Sequence, residues 1–332
     1  MKAHFTMTLY YQNNGLTLKP LEPPPVYSTS DRITYFKLAA VTMIWGGTFV
    51  AGRYLSEAVD PLLAASLRFC LASLALLVFM GGARIPLARP NPRQAAQLLV
   101  LGFFGIFFYN LCFFYGLQYT NASRASLIVA LNPAVIGLAS WWLFKERLNG
   151  IKVMGIALCL AGAAVVIISR NPQLLGEGAG NWRGDLLIFG CVVGWGIYSL
   201  FSRELNQSLG PLQTVTWSIL LGTLMLTVTS LITGRFSVEA IGQLHFSQVM
   251  SLLYLGVLGS ALAYIGYYDG IRRIGATRSG VFIALNPLTA VIFGALLLSE
   301  QLTAPMLIGG AVILLGIYLC NKPLAQAKAM GI

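Results

Sequence analysis

An apolar run of about twenty residues recurs ten times along the 332-residue chain, the length a helix needs to cross a hydrocarbon core ~30 Å thick. This restricts the fold more than any other feature. In lipid every backbone N–H and C=O must be bonded within the chain, which leaves helices or closed barrels, and runs this long suit helices. We place helices at roughly 34–55, 62–80, 95–117, 122–144, 152–169, 185–204, 212–233, 248–270, 278–298 and 305–320. Only 10% of the residues are charged and 57% are hydrophobic, whereas a soluble domain carries about 25% charged residues. The expected fold class is an all-α integral membrane protein with ten transmembrane helices.

Basic residues set the orientation. With the N-terminus cytoplasmic, 16 lysines and arginines fall on the cytoplasmic side, and 5 (Arg53, Arg124, Arg170, Arg183 and Arg235) fall on the other. Arg68 is left inside a helix. The positive-inside rule then puts both termini in the cytoplasm, and the expected location is the cell inner (plasma) membrane. The net charge of +11 follows from those loops. No basic run with interleaved aromatics lies outside the spans, so no nucleic-acid partner is expected. Residues 1–32, with Pro23-Pro24-Pro25, read as a disordered cytoplasmic tail, and 322–332 as a short one.

Cys70, Cys112, Cys159, Cys191 and Cys320 all sit in apolar runs or at the end of one, and none forms a CxxC pair. They read as small buried residues. The two histidines, His4 and His245, lie outside the spans, so no metal and no cofactor is expected. No nucleotide-binding motif is present. An enzyme acting on lipid needs clustered polar groups at a membrane face, and the chain is read as not an enzyme.

The two halves resemble each other. Trp45-Gly46 aligns with Trp195-Gly196, and Asp60-Pro61-Leu62 with Gly210-Pro211-Leu212, at an offset of 150 (195 − 45). Beyond a longer loop near Arg235 to His245 the offset is 154 (286 − 132). Ala130-Leu131-Asn132-Pro133 then matches Ala284-Leu285-Asn286-Pro287, Glu146 matches Glu300, and Gly155 and Gly162 match Gly309 and Gly316. The repeats are 33–172 and 184–321. Five helices in each is an odd number, so the second repeat enters the membrane inverted. Inverted repeats characterise secondary transporters, with substrate bound near the midplane between them.

Ile44-Trp45-Gly46-Gly47, Leu67-Arg68-Phe69, Ala125-Ser126-Leu127-Ile128 through Asn132-Pro133, and Glu146-Arg147-Leu148, with their echoes Trp195-Gly196, Asn286-Pro287 and Glu300-Gln301-Leu302, carry a family likeness. The chain resembles the EamA family of the drug/metabolite transporter superfamily over about 33–321. The resemblance implies two inverted five-helix repeats around a cavity lined by helices one, three, four, six, eight and nine. It also implies export of small metabolites, often amino acids or related compounds.

Asn132-Pro133 and Asn286-Pro287 fall mid-helix. Proline frees a carbonyl in the preceding turn, and in a membrane a freed carbonyl survives beside a cavity or a polar neighbour. Asn132 and Asn286 are therefore substrate-binding candidates, with Pro133 and Pro287 as hinges; a packing kink is the alternative. Trp45 and Trp195 also sit mid-helix, away from the interfacial belt, as substrate contacts or as packing between the halves, and Thr48 and Tyr198 lie one turn on. Arg68, about 10 Å deep at 1.5 Å per residue from Pro61, could grip a substrate carboxylate or brace a neighbouring helix. Tyr109, Asn110, Tyr264 and Tyr267 are the cavity candidates from the aromatic third and eighth helices. No acid lies between Ile33 and Leu55, unlike the related small multidrug transporters. Asp269 is the proton-coupling candidate, although Arg272 and Arg273 follow at pairing distance.

The expected function is a secondary transporter exporting small metabolites, amino acids or related compounds foremost, by alternating access. The expected partners are a small-molecule substrate and the lipid bilayer, with the chain a monomer or weak homo-oligomer. A drug or nucleotide-sugar carrier on the same fold, and a non-transporting membrane receptor or scaffold, are the alternatives.

Overall fold

The computed structural model describes residues 7–12, 15–20, 30–120, 122–145, 149–170, 182–289, 292 and 303–321. A short antiparallel hairpin comes first, β1 (Met7–Gln12) and β2 (Gly15–Pro20), with Gln12 opposite Gly15. Part of the segment read as a disordered tail is thus paired. Thr8, Tyr10, Tyr11 and Thr17 favour extended backbone.

The first half holds α1 (Ser30–Ala58), α2 (Pro61–Gly82), α3 (Pro92–Tyr119), α4 (Ala122–Val129 and Asn132–Phe144) and α5 (Gly150–Arg170). The second holds α6 (Trp182–Ser208), α7 (Pro211–Ile232), α8 (Phe246–Ile274), α9 and α10 (Ala304–Asn321). Of α9 the structure describes Ala276–Gly280, a 3-10 turn Val281–Ala284 and helical residues to 289. Among the described residues nine helices are long and apolar enough to cross a membrane. The rest of the ninth expected helix, 278–298, apart from residue 292, lies outside the described residues, as do Glu146-Arg147-Leu148 and Glu300-Gln301-Leu302.

Local sequence sets the helix starts. The Asp60 carboxylate accepts from the Leu62 and Leu63 amides at 3.0 and 3.2 Å, with Pro61 at the first helical position of α2. Asn91 and Gln94 close a capping box on α3, again with proline at N1. In the second half Gly210, at φ +85°, takes the place of Asp60 before Pro211, a backbone conformation that suits glycine.

The inversion is visible in the contacts. Arg124, near the start of α4, forks onto Asp185, near the start of α6. Since α4 starts on the face where α1 ends, α6 starts there too, opposite to α1. On the other face Arg278 of α9 donates to the Tyr35 hydroxyl of α1 at 3.0 Å. The major interfaces join the halves in matched sets: α2 on α7, α5 on α10, α1 on α8 and α6 on α3. The α5–α10 contact is the most intimate. A Cβ added at Gly162 would stand 2.7 Å from the Gly309 carbonyl oxygen, and one at Gly316 would stand 2.6 Å from that of Gly155, so only small residues allow this approach.

Polarity is turned inside out relative to a soluble bundle. Val78, Trp142, Leu224 and Ile308 are exposed, while Thr42, Ser66, Asn110, Ser199, Ser218 and Ser260 are buried. Lipid accepts the first set. Several of the second return their hydroxyls to carbonyls one turn back, as Thr42 does to Leu38 at 3.0 Å and Ser66 to Leu62 at 2.7 Å.

Two departures from α geometry also repeat. A π-helical segment, Gly102–Phe108, interrupts α3, and another, Tyr254–Leu262, interrupts α8. The first aligns with 256–262 at the 154 offset. Both Asn-Pro pairs follow a break: residues 130 and 131 form a turn before Asn132, and the 3-10 turn Val281–Ala284 precedes Asn286.

Candidate functional site

Where the halves meet, a small cavity is lined by Trp45, Thr48 and Phe49 of α1, Arg68 of α2, Tyr109 and Phe113 of α3, Val129 and Asn132 of α4, Trp195 of α6, Tyr264 of α8, and Ile283 and Asn286 of α9. It encloses about 30 Å³, room for a water or two. The helices are those the resemblance implies, with α2 added through Arg68.

The aromatic wall centres on one pseudo-equivalent pair, Trp45 and Trp195. The Trp45 and Trp195 rings meet edge to face at 5.1 Å and 86°, a favoured aromatic geometry. Tyr264 stands 5.3 Å from Trp195, and Tyr109 stands 5.7 Å from it. Phe49 and Phe113 pack at 5.7 Å. The Trp45 indole N–H donates to the Gly259 carbonyl at 2.9 Å, tying α1 to the π segment of α8. Thr48 donates to the Trp45 carbonyl at 2.6 Å.

The polar wall centres on Arg68, which is 3% exposed. Its Nε donates to the Ser260 hydroxyl oxygen at 2.9 Å and its Nη1 to Asn110 Oδ1 at 3.1 Å. The guanidinium lies over the Phe69 and Phe113 rings, 5.1 and 5.9 Å from their centroids, a favourable placement for a cation. Among the described residues no carboxylate pairs with it, and Nη2 has no protein partner. On the opposing helices, Asn132 donates its Nδ2 to the Val129 carbonyl at 2.9 Å. Asn132 Oδ1, Asn286 Oδ1 and the Trp195 N–H are buried without a hydrogen-bond partner among the described residues. Unmade hydrogen bonds of this kind are costly in a low-dielectric interior. The lining thus brings one buried cation into the same cavity as two residues with unsatisfied amide oxygens and one with an unsatisfied indole N–H.

Of the residues singled out in the sequence, Trp45, Thr48, Arg68, Tyr109, Asn132, Trp195, Tyr264 and Asn286 line this cavity. Asn110 sits behind Arg68. Tyr198 and Tyr267 stand outside the lining, their hydroxyls paired with those of Ser218 and Ser199 at 3.0 and 3.2 Å. Pro133 and Pro287 are both buried just past the breaks in α4 and α9. Asp269 does not reach the cavity. It lies toward the end of α8, held by Arg272 and Arg273 at 2.9 Å each and Lys37 at 3.6 Å, the pairing that its i+3 and i+4 neighbours foreshadow. Phe49, Phe113, Val129 and Ile283 are lining residues not selected from sequence. The first two follow from helix periodicity around Trp45 and Tyr109. Val129 and Ile283 share the 154 offset and lie three residues before the two asparagines, so the repeat held their signal.

Among the described residues the cavity brings together a buried guanidinium, unmatched acceptors and aromatic faces, and none of the lining residues is Asp, Glu, His, Cys or Lys. Among the described residues no group of three or more His, Cys, Asp or Glu side chains could hold a metal ion.

The profile of the EamA-like transporter family matches residues 32–168 and 182–322, one copy per repeat. The chain is 28% identical over 290 residues to a Bacillus subtilis protein named uncharacterized transporter YetK, covering 86% of this chain and 85% of that one. It is also 28% identical over 286 residues to the uncharacterized transporter YyaM of the same organism, covering 85% and 92%. A protein of known crystal structure superposes with a TM-score of 0.70 at 22% identity, over 87% of this chain and 97% of the other; that likeness speaks to the fold.

Proposed function

The chain belongs to the EamA-like transporter family, and on that premise we propose that it exports small metabolites, amino acids or related compounds foremost, by alternating access across an inner (plasma) membrane with both termini cytoplasmic. The topology rests on the 16-to-5 split of basic residues, and the direction on the family resemblance.

One observation carries the substrate class. Arg68 keeps an unpartnered Nη2 at the cavity, while Asn132 and Asn286, pseudo-equivalent residues from the two halves, each present an unpartnered amide oxygen. A zwitterion completes both. Its carboxylate accepts from the guanidinium, its ammonium donates to the amide oxygens, and its side chain lies against Trp45, Trp195 and Tyr264. The cavity as it stands is too small for such a molecule, so loading requires the halves to separate, and the breaks before Pro133 and Pro287 supply places to bend. Asp269 is engaged in three ion pairs outside the cavity, which favours the substrate gradient over a proton relay as the driving force. A nucleotide-sugar would bring two phosphates to a cavity that has, among the described residues, a single cation, Arg68.

The test is counterflow in liposomes holding purified protein, preloaded with each of the twenty amino acids and supplied with labelled counterparts outside. Exchange of a few amino acids, lost in Arg68→Ala and in an Asn132→Ala, Asn286→Ala double variant of equal incorporation, is the expected result. Exchange of none, or exchange untouched by both variants, overturns the reading.

A further inference from the structure

The way Arg68 is held determines what it can select. A buried cation usually meets a carboxylate; here both partners are neutral. Asn110 donates its Nδ2 to the Ile106 carbonyl at 2.7 Å, which turns Oδ1 toward Arg68 Nη1. Ser260 donates its hydroxyl to the Leu255 carbonyl at 2.9 Å, which turns its oxygen lone pair toward Arg68 Nε. Each accepting carbonyl belongs to one of the two π segments. Such segments recur where a helix has a functional task. The arrangement is confined to one side of the pseudo-symmetric frame: the repeat mate of Arg68 is Ser218, and that of Asn110 is Tyr264.

We propose that Asn110 is a specificity-determining positioning residue: it fixes the Arg68 guanidinium through a neutral acceptor, leaving the positive charge for a substrate carboxylate. This rests on the reading of the cavity as an amino-acid site. An aspartate of nearly the same shape at this position would pair with Arg68 permanently and cancel its charge. The site would then accept the ammonium and the apolar body of a substrate but leave its carboxylate desolvated with no free cation to meet it. Asn110 and Ser260 act through Arg68 and stand outside the cavity lining.

The experiment measures binding to purified full-length protein of the twenty amino acids and, for each one bound, of the amine that lacks its carboxylate. Wild type is expected to favour the acid by roughly tenfold or more, the worth of a charge-assisted hydrogen bond. In Asn110→Asp the order reverses, with the amine preferred. In Asn110→Ser, which keeps a neutral acceptor, the wild-type order persists. In Asn110→Leu, which has no acceptor, the preference shrinks severalfold. A change that was only structural would lower both affinities together and leave their ratio alone. If Asn110→Asp folds, as judged by a monodisperse elution profile, and still prefers the acid by the wild-type ratio, the proposal is overturned. If Asn110→Asp does not fold, Asn110→Leu decides, and a ratio equal to that of wild type and Asn110→Ser overturns it. A wild type that binds acid and amine alike, or binds no amino acid, overturns the amino-acid reading itself and this proposal with it.

Discussion

Asn132 donates its side-chain nitrogen to the Val129 carbonyl at 2.9 Å, and Val129 is the residue four before Pro133, whose ring nitrogen has no hydrogen to offer it. The asparagine thus replaces the bond its own proline removes, and its Oδ1 is left buried and unpartnered in a residue that lines the cavity.

Asn132→Ala strands the Val129 carbonyl in a low-dielectric interior and removes the cavity acceptor. The expected cost is about 1–3 kcal/mol of stability, together with a severalfold or larger fall in amino-acid exchange. Thermal unfolding in detergent and liposome counterflow report the two separately. Lowered unfolding temperature with undiminished exchange per folded molecule would reduce Asn132 to a helix-mending role.

Arg68→Lys keeps the charge but gives up the planar fork that reaches Ser260 and Asn110 together. The half-saturating concentration of an exchanged amino acid is expected to rise about tenfold with the maximal rate little changed, and Arg68→Gln to raise it about a hundredfold, from the 1.5–3 kcal/mol of a hydrogen bond to a charged group. Concentration-dependent exchange rates decide this. If Arg68→Gln saturates at the wild-type concentration, the guanidinium only braces α2 against α3 and α8.

The spans were legible because lipid leaves the backbone few alternatives, and the cavity was legible where the repeat doubled a residue, as with Trp45 and Trp195 or Asn132 and Asn286. Rotation about a helix axis was harder to read. Tyr109 and Asn110 are neighbours in sequence, yet one faces the cavity and the other stands behind Arg68, and Tyr264 and Tyr267 divide in the same way. Ser260 carried no signal, since its repeat mate is Ile106, an apolar residue. The π segments leave no trace in apolar periodicity, because inserting one residue in a continuous apolar run removes nothing from it. Arg124 and Asp185 lie on elements separated by all of α5, and no pattern within either helix points to the other.

The α5–α10 interface should tolerate no added side chain. Gly162→Val places carbon within 2.7 Å of the Gly309 carbonyl oxygen and 2.8 Å of the Ile313 nitrogen, both rigid backbone atoms. Overpacking of this kind costs about 1–3 kcal/mol or more, so the unfolding temperature should drop by several degrees or the protein should fail to accumulate. Gly81→Val, at a position with nothing within 4 Å, is the control expected to behave as wild type. Equal melting of the two variants would show that α5 and α10 are not held this closely.

Arg124 and Asp185 clamp α4 to α6 with contacts of 2.8, 3.1 and 2.6 Å. Arg278 and Tyr35 occupy the pseudo-equivalent places on the opposite face, at the 154 and 150 offsets, joined by a hydrogen bond of 3.0 Å. The pseudo-equivalent places are therefore joined differently, by a bidentate ion pair on the face where α1 ends and by an arginine-to-hydroxyl hydrogen bond on the face where it begins, where Lys37 and Asp269 also pair α1 with α8. Both side chains of the ion pair are partly exposed, 22% and 26%, so solvent screens it and its worth is about 0.5–1 kcal/mol. A change of that size moves a two-state equilibrium by about two- to fivefold. Asp185→Ala should accordingly raise, by about that factor, the rate at which a membrane-impermeant maleimide added on the face where α1 ends labels a cysteine placed in the cavity by Thr48→Cys. The charge-swapped pair Arg124→Asp, Asp185→Arg should return the rate toward that of Thr48→Cys alone, because it rebuilds the attraction with the signs exchanged. Labelling that stays the same in Asp185→Ala would show that the ion pair does not hold this face shut. Labelling that rises but is not restored by the swap would assign the effect to lost packing at the ends of α4 and α6.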